Sequence, residues 1–130
     1  MVSYATVGSN DLQAAREFYD LLLGSIGIKP LFEHPSGGQV YGADGMMTFG
    51  VVGAYDGAAA SPGNGTMIGF ALESPKAVDA FHALAVALGG GDEGLPGKRG
   101  GDGSPFYMSY FRDLDGNKLT GYYVEGVLPG

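Results

Sequence analysis

The sequence contains no cysteine. That removes disulfides, thiolate metal sites and a cysteine nucleophile together, without identifying the compartment. Basic residues are scarce: 7 Lys and Arg stand against 14 Asp and Glu, a formal net charge of −7. Proteins hold a phosphate backbone chiefly by neutralising it with Lys and Arg, so neither nucleic acid nor an anionic membrane is an expected partner. An acidic surface concentrates cations, so a cationic small molecule is compatible with the balance. No stretch approaches the roughly 18 consecutive apolar residues of a spanning helix. The opening residues MVSYATVGSND have no basic stretch followed by an apolar one, so no export signal is read there and a cytoplasmic location is expected.

The chain does have enough apolar residues for a core, 45%, and too few charged ones, 16%, for a disordered chain. Its length suits one folding unit or two small fused halves. Gly is abundant, 25 residues, and clusters between better-patterned segments as turns. The stretch YDGAAASPGNG, residues 55–65, divides the chain into halves of similar length and reads as a connector.

The first half opens with a strand over Tyr4 to Gly8. A helix follows, capped by Asp11, with Leu12, Ala15, Phe18, Tyr19 and Leu22 at helical spacing and Gly24 and Gly27 as its stop. Three strands come next, at Lys29 to Glu33, Gln39 to Gly42 and Met46 to Val52, the last two joined by an Asp44-Gly45 turn. The second half repeats this order. Thr66 to Leu72 is a strand, Ser74-Pro75 a helix start, and Lys76 to Leu88 a helix. Asp92 to Lys98 is a weak strand candidate, whereas Phe106 to Arg112 and Asn117 to Val124 are clear ones around an Asp115-Gly116 turn. A slide of 63 positions carries Ala14 onto Ala77, Phe18 onto Phe81, Leu21 onto Leu84 and Gly27 onto Gly90. A slide of 71 carries Asp44-Gly45 onto Asp115-Gly116. Two tandem βαβββ modules are expected, at 1–54 and 66–127, within one α+β domain spanning 1–130.

This arrangement resembles the glyoxalase/bleomycin resistance protein/dioxygenase superfamily, also called the vicinal oxygen chelate superfamily. The likeness is carried by YATVGSNDLQAAREFYDLLLGSIGI, AVDAFHALAVALGG and FYMSYFRDLDGNKLTGYYV, and it runs from Tyr4 to Val124. The resemblance implies a curved open barrel enclosing a ligand cavity, and often a homodimer. In metal-dependent members it also implies His and Glu ligands on the first and last strands of each module.

Those places fall here on Tyr4, Met67, Phe49 and Thr120, and none of their neighbours is His, Asp or Glu. Phenol, thioether, phenyl and hydroxyl groups do not make the donor set that a divalent ion needs, so no metal and no other cofactor is expected. Period-two geometry extends the same face to Thr6, Gly69, Tyr122 and Val124, and Phe49 brings Met47 and Val51 with it. The opposite face, with Val7, Ile68, Phe70, Leu119 and Tyr123, is expected to pack on the helices. The candidate ligand contacts are Tyr4, Thr6, Met47, Phe49, Met67, Gly69, Phe106, Tyr110, Thr120 and Tyr122. An aromatic pocket of this kind suits a planar or cationic small molecule. Three roles stay open: binding without chemistry, a glyoxalase-like lyase or isomerase using Tyr4, Thr120 or a nearby His, and a scaffold that has kept only the dimer surface.

Other signals read as structural. His82 is expected on the surface or flank of its helix, and His34 beside Glu33 is not a ready dyad, because adjacent strand residues face opposite sides. Arg112 is expected to pair with Asp113 or Asp115. Asp113, Asp115 and Asn117 imitate a calcium loop, but Val124 stands where its glutamate is needed, so they form a turn. Gly89, Gly91 and Gly94 fit GxGxxG but follow a helix, with Asp92-Glu93 set to repel a pyrophosphate. Gly94 to Gly103, with Lys98 and Arg99, reads as a flap at the cavity edge.

Overall fold

Asp11 and Ser74, the two residues aligned by the internal repeat, each start a helix in the computed structural model, which describes residues 1–126. The Asp11 carboxylate accepts the Ala14 N–H at 3.1 Å at the head of α1 (Leu12–Gly24), and Ser74 Oγ accepts the Ala77 N–H at 3.1 Å at the head of α2 (Pro75–Ala87). Each bond satisfies one of the donors that a helix start leaves without a partner. Pro75 sits in the first turn of α2, where its missing N–H costs nothing. The expected end of the second module at 127 lies outside the described residues.

The strands are β1 (Ala5–Gly8), β2 (Lys29–Glu33), β3 (Gln39–Ala43), β4 (Met46–Val52), β5 (Ile68–Ala71), β6 (Gly91–Arg99), β7 (Phe106–Arg112) and β8 (Lys118–Val124). They form two sheets of the same plan, ordered β1-β4-β3-β2 and β5-β8-β7-β6, each with its first strand parallel to its last and the other pairs antiparallel. The fold is α+β, built from two βαβββ units.

One core joins the units. Helix α1 buries Phe18, Tyr19, Leu22 and Leu23, and α2 buries Val78, Phe81 and Ala85. A run of ring contacts links them through the sheets: Tyr19 to Phe49 at 4.8 Å between centroids, Phe49 to Phe70 at 5.6 Å, Phe70 to Phe81 at 5.8 Å and Phe81 to Phe111 at 5.7 Å. Such pairs contribute about 0.5–1.5 kcal/mol each beyond the burial of their area. A polar latch crosses the same boundary. The Tyr19 hydroxyl donates to Asp113 Oδ2 at 2.5 Å, and Asn117 Nδ2 donates both to Asp113 Oδ2 and to the Gly8 carbonyl at 2.9 Å. Asp113 Oδ1 closes its own turn by accepting the N–H groups of Asp115 and Asn117, so the calcium-like residues do form a turn. The connector is tied to the first module through Asn10, whose side chain exchanges two hydrogen bonds with the backbone of Ala60.

Two expectations need correction. The supposed flap is mostly strand: β6 extends to Arg99 and pairs Gly94 with Tyr110, Gly97 with Met108 and Arg99 with Phe106. Gly and Pro depress strand propensity, but β6 is an edge strand interrupted by two irregularities, and an edge tolerates Pro96 because one side of its backbone needs no partner. Arg112 pairs not with Asp113 or Asp115 but with Glu93 on β6, Nε to Oε1 at 2.8 Å, while its other arm donates to the Gly116 carbonyl.

Candidate functional site

Each sheet has one face against its helix and one face free of helices. Alternation assigns the residues to them. In the second sheet Phe70, Phe111 and Leu119 belong to the core, and Gly121 faces α2, since a Cβ there would lie 2.8 Å from Phe81. The helix-free face therefore carries Gly69 on β5, Thr120, Tyr122 and Val124 on β8, and their register partners Tyr110, Met108 and Phe106 on β7. A Cβ on Gly69 would lie 3.1 Å from the Tyr122 ring and 3.2 Å from Thr120 Cγ2, which places these three together. Met67 precedes β5 beside the inward-packed Ile68 and is partly exposed.

In the first sheet Val7, Tyr41, Phe49 and Val51 belong to the core. The helix-free face carries Gly50 with Tyr4 and Thr6 against it, because a Cβ at Gly50 would meet the Tyr4 hydroxyl at 2.9 Å and Thr6 Cγ2 at 3.3 Å. Phe49 therefore does not face a cavity. It is fully buried against Tyr19, and Val51 is buried with it. The reason is a bulge: β3 pairs Tyr41 with Phe49 but Gly42 with Met47, so Thr48 is an extra residue in β4. The β7–β8 ladder runs without one. Counting back from the Asp-Gly turns gave an offset of 71, whereas sheet register sets Phe49 opposite Ala5 and Leu119 opposite Ile68, an offset of 70. The counterpart of Thr120 is therefore Gly50. Met47, before the bulge, is partly exposed and does not share the Tyr4 cluster.

Two clefts adjoin these faces. One, of about 590 Å³, lies between the segment leading into β1 and the start of the second module, lined by Tyr4, Ile26, Thr48, Ile68, Gly69 and Leu72 among others. The other, of about 1000 Å³, lies over the first sheet between the β2–β3 turn and the connector, lined by Tyr4, Thr6, His34, Ser36, Val52 and Tyr55 among others. Tyr4 lines both. Of the ten candidate contacts, only Tyr4 and Gly69 line the first cleft, and only Tyr4 and Thr6 the second. Phe106, Tyr110, Thr120 and Tyr122 share the second sheet's face outside both.

His34 and Ser36 enter the second cleft as a pair that sequence reasoning did not join. His34 Nδ1 is 2.8 Å from Ser36 Oγ and also accepts the Ser36 N–H at 3.1 Å, so the ring carries its proton on Nε2. Ser36 Oγ in turn accepts the Gly53 N–H at 2.9 Å. His82, expected on the surface or flank of its helix, is buried: it stands edge-on to Phe111, with Nε2 3.2 Å from Asp92 Oδ1. Three tyrosines have pKa values raised by their surroundings. Burial, then the Asp113 charge and hydrogen bond, raises Tyr19 well above the usual phenol range; burial, then the Asp20 hydrogen bond, does so for Tyr41; a hydrogen bond to Asp79 raises Tyr107. None of the three lines a cleft, so these shifts concern folding more than chemistry.

No family model matches the sequence, and no curated protein matches it. Solved structures do. A glyoxalase/bleomycin resistance protein from Albidiferax ferrireducens T118 superposes with a TM-score of 0.83 and 41% identity, over 93% of this chain and 97% of that one. The chain belongs to the glyoxalase/bleomycin resistance protein/dioxygenase superfamily. The same fold is found in a glyoxalase-related enzyme from Fulvimarina pelagi, at TM-score 0.75 and 21% identity over 100% and 92% of the two chains. It is found again in lactoylglutathione lyase from Agrobacterium tumefaciens, at TM-score 0.67 and 20% identity over 95% and 92%.

With register corrected, the four places where the superfamily resemblance implies ion ligands hold Tyr4, Met67, Gly50 and Thr120. A neutral phenol, a thioether, a glycine and a hydroxyl do not fit a divalent ion, which takes imidazole nitrogen or carboxylate oxygen. Among the described residues no three His, Asp or Glu side chains are grouped closely enough to hold one elsewhere.

Proposed function

We propose that this superfamily member is a small-molecule-binding protein of the cytoplasm, acting as a homodimer, whose ligand contacts lie on the helix-free faces of its two sheets and need no divalent ion. The observation that carries the reading is the donor set just described: the barrel positions are furnished for contact with an organic molecule and not for chelation. Aromatic side chains with scattered hydroxyls, here Tyr4, Phe106, Tyr110 and Tyr122, are the composition of a ligand wall, while Thr120 lies buried beneath it with its hydroxyl donating to the Gly121 carbonyl. Among the described residues no helix is long and apolar enough to cross a membrane. The dimer is supported by the edge strand β2, exposed along its whole length, where Leu31 and Phe32 lie open in the same sheet as the exposed Met46 and Met47. Sedimentation analysis tests it, and a concentration-independent monomer would refute it.

A thermal-shift screen against planar aromatic compounds tests the binding reading, since a ligand that prefers the folded state raises the melting point. At least one compound is expected to raise it in a saturable way. No shift across a broad panel would leave the scaffold role. The lyase or isomerase alternative is favoured by one observation, that His34 and Tyr4 line the same cleft. Turnover of a ligand found in the screen, abolished by His34→Gln, would establish it in place of simple binding.

A further inference from the structure

Three of the seven basic residues, Arg99, Arg112 and Lys118, gather on the helix-free face of the second sheet. Alternation puts Lys118 and Arg112 on the side of Thr120 and Tyr110. The Arg99 guanidinium carbon and the Lys118 ammonium both stand 5.2 Å from the centre of the Tyr110 ring. Arg112 is neutralised by Glu93. The other two are not: among the described residues neither has a carboxylate within ion-pairing distance.

Arg99 is nevertheless held in place. Three of its N–H contacts go to the backbone carbonyls of Gly97, Lys98 and Leu95, which fix the guanidinium without cancelling its charge. A guanidinium has five N–H donors, so the remainder are free for a ligand. Glycine makes the placement possible, because a Cβ at Gly94 would lie 2.8 Å from the Tyr110 ring and 3.3 Å from Arg99 Nη2, and one at Gly97 3.3 Å from Nη1. Arg99 reaches the ring from β6 and Lys118 from β8, on the two sides of β7, and the ring quadrupole attracts each cation without supplying a counter-charge. An anion on this face would supply one.

We infer that the second sheet's helix-free face takes a small molecule bearing a carboxylate or phosphate group, its anionic oxygens set against Arg99 and Lys118 and its flat apolar part against Tyr122 and Phe106. This rests on the small-molecule-binding reading and fixes the sign of the ligand's charge. The net charge of −7 argues for a cation, but net charge is a sum over the whole surface, whereas recognition depends on the charges within a Debye length of the ligand.

Four probes of one shape test it by titration calorimetry on the full chain: 2-naphthoate, 2-naphthyl phosphate, 2-naphthamide and 2-naphthylmethylammonium. One or both anions are expected to bind at least about tenfold more tightly than the amide, and the stronger of them assigns carboxylate or phosphate. The preference should shrink with added salt. Lys118→Gln and Arg99→Gln should each lower anion affinity about fivefold or more and amide affinity distinctly less, with melting points showing that both variants fold; two sites guard against one variant failing to do so. Equal or tighter binding of the amide or the ammonium would overturn the anion assignment while leaving the binding reading intact. Anion binding untouched in both variants would overturn the location. Failure of all four probes would overturn the inference, and the broader thermal screen then judges the binding reading separately.

Discussion

Removing the Asp113 carboxylate should loosen the seam between the two modules, because one buried group serves both sides of it. Its Oδ2 accepts from the Tyr19 hydroxyl of the first module and from Asn117 Nδ2, which also reaches the Gly8 carbonyl, while Oδ1 holds the turn N–H groups of Asp115 and Asn117. In Asp113→Ala the fully buried Tyr19 hydroxyl loses its acceptor, at about 1–3 kcal/mol for an unsatisfied buried group. The turn N–H groups of Asp115, part-buried, and Asn117, buried, also lose their acceptor and add roughly 1 kcal/mol. A total of about 3 kcal/mol is a large part of ordinary domain stability. With a urea dependence of about 2 kcal/mol per molar, the midpoint should fall by roughly 1.5 M. Tyr19→Phe alone should cost about 1–2 kcal/mol, since Asp113 keeps its other donors. Combined with Asp113→Ala it should cost less than the two single effects together, because the orphaned hydroxyl is gone. The measurement is a double-mutant cycle by urea denaturation. Effects additive within about 0.5 kcal/mol would refute the coupling across the seam.

Other outcomes follow from the same structure. The raised folded-state pKa values of Tyr19 and Tyr41 lie above the unfolded value near 10, so their contribution is complete below that pH. It should be lost as pH rises beyond it, by roughly 1.4 kcal/mol per pH unit for each tyrosine, and denaturation at pH 9 and 11 should show a smaller loss in Tyr19→Phe. Phe49→Ala should act on stability, by about 3–5 kcal/mol, because its ring packs on Tyr19 and Phe70. A protein of unchanged melting point and weakened ligand affinity would return Phe49 to the cavity. Gly121→Ala should destabilise by about 1–3 kcal/mol, since the new Cβ would press on Phe81 and Leu72 in a filled core. Gly69→Val should leave the fold nearly intact yet push the Tyr122 ring aside and weaken ligand binding, read by calorimetry.

Most of the fold was legible in the sequence because its signals are local or repeated. The caps Asp11 and Ser74, the Phe18 and Phe81 equivalence and the limits of β2, β4 and β7 all came from spacing and turn chemistry. Strand β6 showed only as a weak candidate over Asp92 to Lys98, with its second half read as a flap, because Gly94, Pro96 and Gly97 disguise a strand held by its pairing with β7. Thr6, Gly69, Tyr110, Thr120 and Tyr122 fell on the helix-free faces that alternation indicated. Phe49 did not, since one extra residue in β4 reverses parity and a bulge leaves no mark in composition. The charge of the second face was hidden for a different reason. Lys118 shares parity with Thr120 and could have been included, whereas Arg99 becomes a neighbour of Tyr110 only once β6 is recognised as a strand.

The most direct test measures the heat of binding of a ligand from the thermal screen before and after exhaustive dialysis of the protein against a chelator. The account predicts the same affinity and stoichiometry in both states. Binding that vanishes with the chelator and returns with added zinc, nickel or iron would contradict it.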